Sequence, residues 1–415
     1  MVCAEGVCME YDDSAAAREA TDRAREFMEE VVLPAERSHT GGESVSRETI
    51  ADLREQAREY DIYAPQIPEE HGEMGMAFRD VLPVFEQAGR SLLGATGMRV
   101  DAPDEGNMHT LELVGTDDQK ENWLQPLVAG EIRSGFAMTE PAPGGGSDPK
   151  MLRTTAETDD GEWVIDGHKW WTTQGGAADV LLVMARTDPD AHPYAGCSII
   201  LVPTDTDGVE IVRDIPHLGQ SLVPESHAEI TFDGVRVPES NLLGSVNAGF
   251  DIAQQRLGPA RLTHCMRFSG MAERALDVAK AYMDEREAFG SSLADKQAQR
   301  FSIAEAETEL HAARTMVRDA AEKIAVGEEA RVEVSMSKVF AARVAQETID
   351  LAVQCCGGAG IGRDLPLADF YEAVRAFRII DGADEVHKRT IARAAFEDTD
   401  PAEIAAIPQF GEPID

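Results

Sequence analysis

Residues 162–176 read EWVIDGHKWWTTQGG, and the fold is decided by how this stretch is read. Its β-branched and aromatic residues run up to a glycine pair, the texture of a strand entering a turn. Four similar runs follow, DVLLVMART, GCSIILVPTD, VEIVRDI and HAEITFDGVRVP, with Gly, Asp and Pro between them. Five such runs at this spacing predict an antiparallel sheet or small barrel over residues 131–245.

On both sides the texture is helical. Upstream, SAAAREATDRAREFMEEVVLP places Phe27, Met28, Val31 and Val32 on one face, and Pro34 is expected to stop the helix. SRETIADLREQAREY, FRDVLPVFEQAGRSLLGATG and DQKENWLQPLVAG extend a helical domain over residues 1–130. Downstream, MRFSGMAERALDVAKAYMDERE and two longer apolar-striped segments predict a bundle of long helices over residues 246–397. Residues 398–415 read as a loosely attached tail. The fold class is α+β, in the order helical, β, helical.

Composition narrows the function. With 43% apolar and 27% charged residues the 415-residue chain is an ordinary globular protein, long enough to bury a cofactor. Its charge is abnormal: 38 basic residues against 76 acidic ones give a net charge of -38, and only eight of the basic residues are lysine. Self-repulsion of that size is best tolerated where salt screens it, which points to a salt-adapted proteome. Nucleic-acid binding is disfavoured, because it needs clustered Lys and Arg. Cys3, Cys8, Cys197, Cys265, Cys355 and Cys356 have no metal-ligand spacing and are expected to be reduced packing residues. His264, His311 and His387 show no metal spacing either, so no metal is expected. The acidic N-terminus has no apolar leader core and no run of 18 apolar residues occurs, so a cytoplasmic protein without membrane contact is expected.

Three segments carry candidate chemistry. AMTEPAPGGGSDP, residues 137–149, sets Thr139 and Ser147 beside a glycine run whose backbone N–H groups can approach a ring carbonyl or a phosphate; a plain surface loop fits equally. GHKWWTTQGG suits stacking on a flat heteroaromatic ring, although a strand with core tryptophans explains it too. RIIDGADEVHKR, residues 378–389, holds either a catalytic carboxylate or the solvated start of a helix. GGAGIG, residues 357–362, follows a helical pattern and so is not a dinucleotide-binding strand turn.

Together with REAFGSSLADKQ and QCCGGAGIGRDLPL, these segments resemble the flavin-dependent acyl-CoA dehydrogenases along nearly the whole chain. APDEGNM, LGPARLTHCMR and DGADEVH are similar to the branch of family members 10 and 11, without room for the kinase-like domain of their long members. The resemblance implies FAD, an acyl-CoA substrate, β-oxidation chemistry, electron-transfer flavoprotein as acceptor, and a homo-oligomer, dimer or tetramer.

It also implies roles. Phe136, Met138, Thr139 and Ser147 would line the flavin and the thioester, Trp171 would pack on the ring, and Thr173 would face N5. Arg286, Phe289, Gln297, Gln354, Gly357 and Gly358 would bind the pyrophosphate and adenosine of FAD, from a neighbouring subunit. Ala383, in place of the usual threonine, and Glu385 would lie on the flavin side, and Arg261, Ser147 and Gly382 on the substrate. Asp381 falls on the base position, where most members have glutamate, and Ala260 cannot serve in its stead. Such a base takes the α-proton while the β-hydrogen passes to N5 as hydride. Five residues separate Pro141 from Ser147, against about three in common members. A flavin oxidase, acyl-CoA or nitroalkane oxidase-like, and a non-catalytic assembly subunit are the alternatives.

Overall fold

The computed structural model describes residues 13–39, 44–71, 74–218, 227–397 and 399–400. Cys3, Cys8 and most of the expected tail lie outside the described residues.

Helix α1 (Ala15–Phe27) opens on Ser14, whose hydroxyl accepts the Ala17 N–H, and buries Ala17, Ala20, Ala24 and Phe27. Pro34 does not stop it. A wide π turn over Met28–Val32 re-phases the backbone, so that Pro34 falls in the first turn of α2 (Leu33–Ser38), where a missing N–H costs nothing. Next come α3 (Arg47–Glu59), α4 (Phe78–Ala88) and α5 (Leu92–Gly97). The segment expected as one helix breaks at Gly89, and Ser91 caps the restart by accepting the Leu93 N–H. Helices α6 (Asp104–Val114), α7 (Asp117–Gln119) and α8 (Gln125–Ala129) complete the domain.

The sheet has strands β1 (Ser134–Ala137), β2 (Thr155–Asp159), β3 (Glu162–Thr173), β4 (Val180–Arg186), β5 (Cys197–Pro203), β6 (Val209–Asp214), β7 (His227–Pro238) and β8 (Leu242–Leu243). Their order is β6-β7-β3-β2-β4-β5-β8, with β1 also on β4. All five expected runs are strands. The sheet is mixed rather than antiparallel, because β1 and β2 both run parallel to β4. Alternation reveals a strand but not its direction. In β4, Val180, Leu182 and Met184 pack on the helical core while Leu181, Val183 and Ala185 fill the sheet's own core. Covered on both faces, β4 reads as an unbroken apolar run.

The long bundle is α9 (Gly249–Glu285), α10 (Gln297–Ala325) and α11 (Arg331–Cys356), followed by α12 (Gly358–Ile361), α13 (Leu367–Phe377) and α14 (Asp384–Glu397). A hairpin of β9 (Glu287–Ala288) and β10 (Ser291–Ser292) joins α9 to α10. Helix α9 touches α4, α6, α11 and β5, so it borders all three layers. Side chains on its inner face therefore meet residues from every domain.

Candidate active site

The turn between α13 and α14 carries Asp381 and Gly382, both with positive φ, 55° and 94°. Aspartate tolerates this left-handed conformation better than longer side chains do, and glycine adopts it freely. The turn is pinned from three helices. Arg261 Nε on α9 donates to the Asp381 carbonyl at 2.8 Å, and His387 Nε2 on α14 lies 3.1 Å from the same oxygen. Lys338 Nζ on α11 donates to the Gly382 carbonyl at 2.8 Å. Arg378 Nε holds Asp384 at 2.7 Å, so Asp384 belongs to the support of the turn. A Cβ on Gly382 would come within 2.9 Å of His387 Nε2, so the close approach also demands glycine.

The Asp381 side chain is 15% exposed, and its Oδ2 is buried without a hydrogen bond. His264 Nδ1 lies 2.9 Å from that oxygen, but it also lies 2.8 Å from the Ala260 carbonyl in its own helix. A ring N–H at Nδ1 directed along the helix to Ala260 leaves His264 in close contact with Asp381 Oδ2 without a well-aligned hydrogen bond. Burial pushes the Asp381 carboxyl up, yet His264, Arg261 and Arg256 together hold it well below the usual carboxylate range. Burial pushes His387 down to about 4, helped by Arg261, so it is a neutral partner. Among the described residues nothing accepts the Gly382 N–H. A buried, ionised carboxylate with a free oxygen beside a free backbone N–H can take a proton from one atom and hold developing charge on another.

Arg256, one turn and a half before Arg261 on α9, stacks over the Phe136 ring at 4.2 Å and donates from Nε to Asn107 at 2.9 Å. Asn107 Nδ2 reaches Ser134, and Ser134 donates its N–H and hydroxyl to Asp104, which also pairs with fully buried Arg99 at 2.7 Å. The APDEGNM segment thus ties α6 to β1 and α9. It fixes Phe136 beside the Asp381 region.

The loop after β1 is shaped by Glu140. Its carboxylate accepts the N–H groups of Gly145, Arg153 and Thr154, the Thr154 hydroxyl at 2.6 Å, and Lys169 Nζ at 2.9 Å. Lys169 also donates to the Met138 carbonyl, and the Trp170 N–H to the Thr139 carbonyl, so the loop lies against β3. Burial pushes Lys169 down to about 8 even with Glu140 beside it. Ser147 is exposed, beyond the part that Glu140 fixes. Trp171 sits on the β3 bulge with φ 55° and is 41% exposed. The Thr173 hydroxyl lies 3.0 Å from His227 Nδ1, its neighbour on β7.

The expected site residues fall into three groups. Phe136, Met138, Thr139, Trp171 and Thr173 gather where β1 and β3 end, while Asp381, Gly382, Ala383 and Arg261 gather behind α9. Arg286, Phe289, Gln297, Gln354, Gly357 and Gly358 are exposed at the far end of the bundle. Phe289 is 98% exposed at the β9–β10 tip, and a Cβ on Gly358 would meet nothing in this chain. Glu385 is an exposed first-turn residue of α14, placed where acidic groups favour the helix dipole. Cys197, Cys265, Cys355 and Cys356 are free and buried, and burial pushes the Cys265 thiol up to about 12. Glu70, His71 and Glu112 approach one another, but Lys120 Nζ at 3.0 Å already supplies Glu112 with a positive charge. Glu140, Arg256 and Lys338 were not singled out from sequence, and His264 and His387 were weighed there only as metal ligands; the i, i+3 spacing of Arg261 and His264 was the one available signal.

The residues present fit a bound flavin. An exposed tryptophan on a bulge, a glycine pair facing open space and an unpaired phenylalanine are otherwise costly features for a lone chain.

A helical domain, a mixed sheet and a long-helix bundle around a buried carboxylate define the acyl-CoA dehydrogenase fold. Sequence models of the acyl-CoA dehydrogenase N-terminal, middle and C-terminal domains match residues 14–131, 135–235 and 247–396. The chain belongs to the acyl-CoA dehydrogenase family. It is 41% identical to probable acyl-CoA dehydrogenase FadE2 of Mycobacterium tuberculosis, over 93% of this chain and 97% of that one. It is 36% identical to acyl-CoA dehydrogenase family member 10 of Mus musculus, over 95% of this chain but only 38% of the mouse protein. A solved structure from Mycobacterium abscessus superposes with a TM-score of 0.87 at 36% identity, covering 93% of this chain and 99% of the other. Among the described residues no helix is long and apolar enough to cross a membrane.

Proposed function

We propose that the protein is an FAD-dependent acyl-CoA dehydrogenase that introduces a trans-2 double bond into an acyl-CoA thioester, with Asp381 as the base. The observation that carries this reading is the buried, unbonded Oδ2 of Asp381 on a turn held by Arg261, Lys338 and His387. Bound FAD would supply the electron acceptor for the β-hydrogen. Asp381 would take the α-proton on Oδ2. The Gly382 N–H would hold the thioester oxygen, where charge develops as that proton leaves. Because His264, Arg261 and Arg256 hold the Asp381 carboxyl well below the usual carboxylate range, the base is ionised at neutral pH. The acidity must come from the substrate side, by polarisation of the thioester at Gly382.

Phe136, Met138, Thr139, Trp171 and Thr173 would receive the flavin ring. The exposed Arg286, Phe289, Gln297, Gln354, Gly357 and Gly358 would meet the adenosine end in a homo-oligomer, a role for which Phe289 and Ile361, 98% and 75% exposed, leave apolar surface free. Electron-transfer flavoprotein is the expected oxidant of the reduced protein, and the cytoplasm its compartment.

The test is anaerobic titration of the purified holoprotein, in molar salt, with acyl-CoA esters of graded length, following loss of the oxidised flavin absorption. Bleaching by some ester is expected, and D381N, which keeps the shape and the left-handed backbone, should abolish it. Bleaching that survives D381N would remove Asp381 from its role. Protein that takes up no FAD would overturn the whole reading.

A further inference from the structure

Thr173 and His227 face each other across β3 and β7, one rung beyond the bulge that turns Trp171 outward. Thr173 Oγ1 and His227 Nδ1 are 3.0 Å apart, and both residues are half-buried. The His217 ring packs edge-on against His227, with centroids 4.4 Å apart, while His217 Nδ1 is engaged with the Ile215 carbonyl at 3.0 Å. The Trp171 indole closes the cluster, 5.7 Å from His227 and 6.2 Å from His217. One residue pair along β7, Glu229 is occupied by His168 and Arg213. His227 Nε2 hydrogen-bonds no described residue. Burial, aided by His217, pushes His227 down to about 4, so the ring is neutral and carries a single proton.

A neutral imidazole offers two choices at Nδ1. With the proton on Nδ1, it donates to Thr173 Oγ1, and the threonine hydroxyl is left to donate elsewhere. With the proton on Nε2, bare Nδ1 accepts the threonine hydroxyl, and Oγ1 is left only as an acceptor. An oxidised flavin presents a bare N5, which needs a donor; a reduced flavin presents an N–H there, which needs an acceptor.

We propose that His227 is a positioning residue that reverses the hydrogen bond of Thr173 as the flavin changes oxidation state, by exchanging its tautomer. The exchange moves one proton from Nδ1 to Nε2 through solvent and leaves the charge of His227 unchanged. This rests on the flavin reading above, with Thr173 beside N5.

The test is long-range proton–nitrogen NMR of holoprotein labelled with 15N-histidine, in the oxidised form and after photochemical reduction, with H227Q assigning the signal. A proton on Nδ1 in the oxidised protein and on Nε2 in the reduced protein is expected; one tautomer in both forms overturns the proposal. A second measurement is the flavin midpoint potential. H227F should change the oxidised-to-reduced ratio at fixed potential by about fivefold, the net worth of one hydrogen bond, and T173V should add nothing further. H227N, whose amide can also donate or accept, should restore it. Independent, additive effects of H227F and T173V also overturn it. Holoprotein that acyl-CoA bleaches, but whose tautomer stays fixed, sinks this inference alone; a protein that binds no FAD sinks both.

Discussion

Asp381→Glu asks why the turn carries an aspartate. Glutamate adds one methylene, which extends the carboxylate by about 1.5 Å. His264 Nδ1 is only 2.9 Å from Asp381 Oδ2, so an extended glutamate aimed the same way would run into the ring and must swing aside. The swing takes it from the charge of His264, Arg261 and Arg256, which now hold the carboxyl down. The left-handed backbone at 55° adds a cost of about 1 kcal/mol for the longer side chain. Displacement by more than about 1 Å costs on the order of a hundredfold in rate. The first-order rate of flavin bleaching by a saturating acyl-CoA should therefore fall about a hundredfold in D381E, while the acid limb of its pH profile moves up. The sign follows from the environment: with less positive charge nearby, protonation becomes easier and the base is lost at higher pH. A D381E enzyme bleaching at the wild-type rate, with its acid limb unmoved, would refute the idea that His264 and the backbone select aspartate.

The other predictions concern the supports of the site. G382A places a Cβ 2.9 Å from His387 Nε2 at φ 94°, and should lower unfolding free energy by about 1–3 kcal/mol in urea titration. E140Q leaves Lys169 buried without its ion partner, and should cost about 3 kcal/mol by the same assay, the usual result of breaking one side of a buried pair. Because His387 and His227 are pushed down to about 4, the unfolded chain binds protons first as the pH falls from about 6.5. Stability from each is full above pH 6.5 and is lost as the pH falls toward 4, by up to about 3 kcal/mol per ring. H387F should flatten that limb of the stability curve, and an unchanged limb would show that His387 is not held neutral.

What could be read from sequence follows a physical divide. Strand β3 was legible because its signal is local: residues 162–176 carry both their own alternation and the turn that ends them. The π turn over Met28–Val32 was not, since no residue type within it marks the re-phasing that carries the chain past Pro34. Asp381 and Gly382 were found by position within a motif, yet nothing near them in the chain announces what holds them. Arg261, Lys338 and His387 lie on three different helices, and they converge only because α9, α11 and α14 pack together. The same holds for the choice of aspartate. From sequence Asp381 simply stood where most members have glutamate. In the fold the missing methylene is the space His264 occupies, on the same face of α9 as Arg261, and the short side chain suits the left-handed turn. That makes Asp381 and His264 one unit. H264V should open the space that D381E needs, so the double variant H264V/D381E should bleach faster than D381E alone; equal rates would mean the histidine is merely a neighbour.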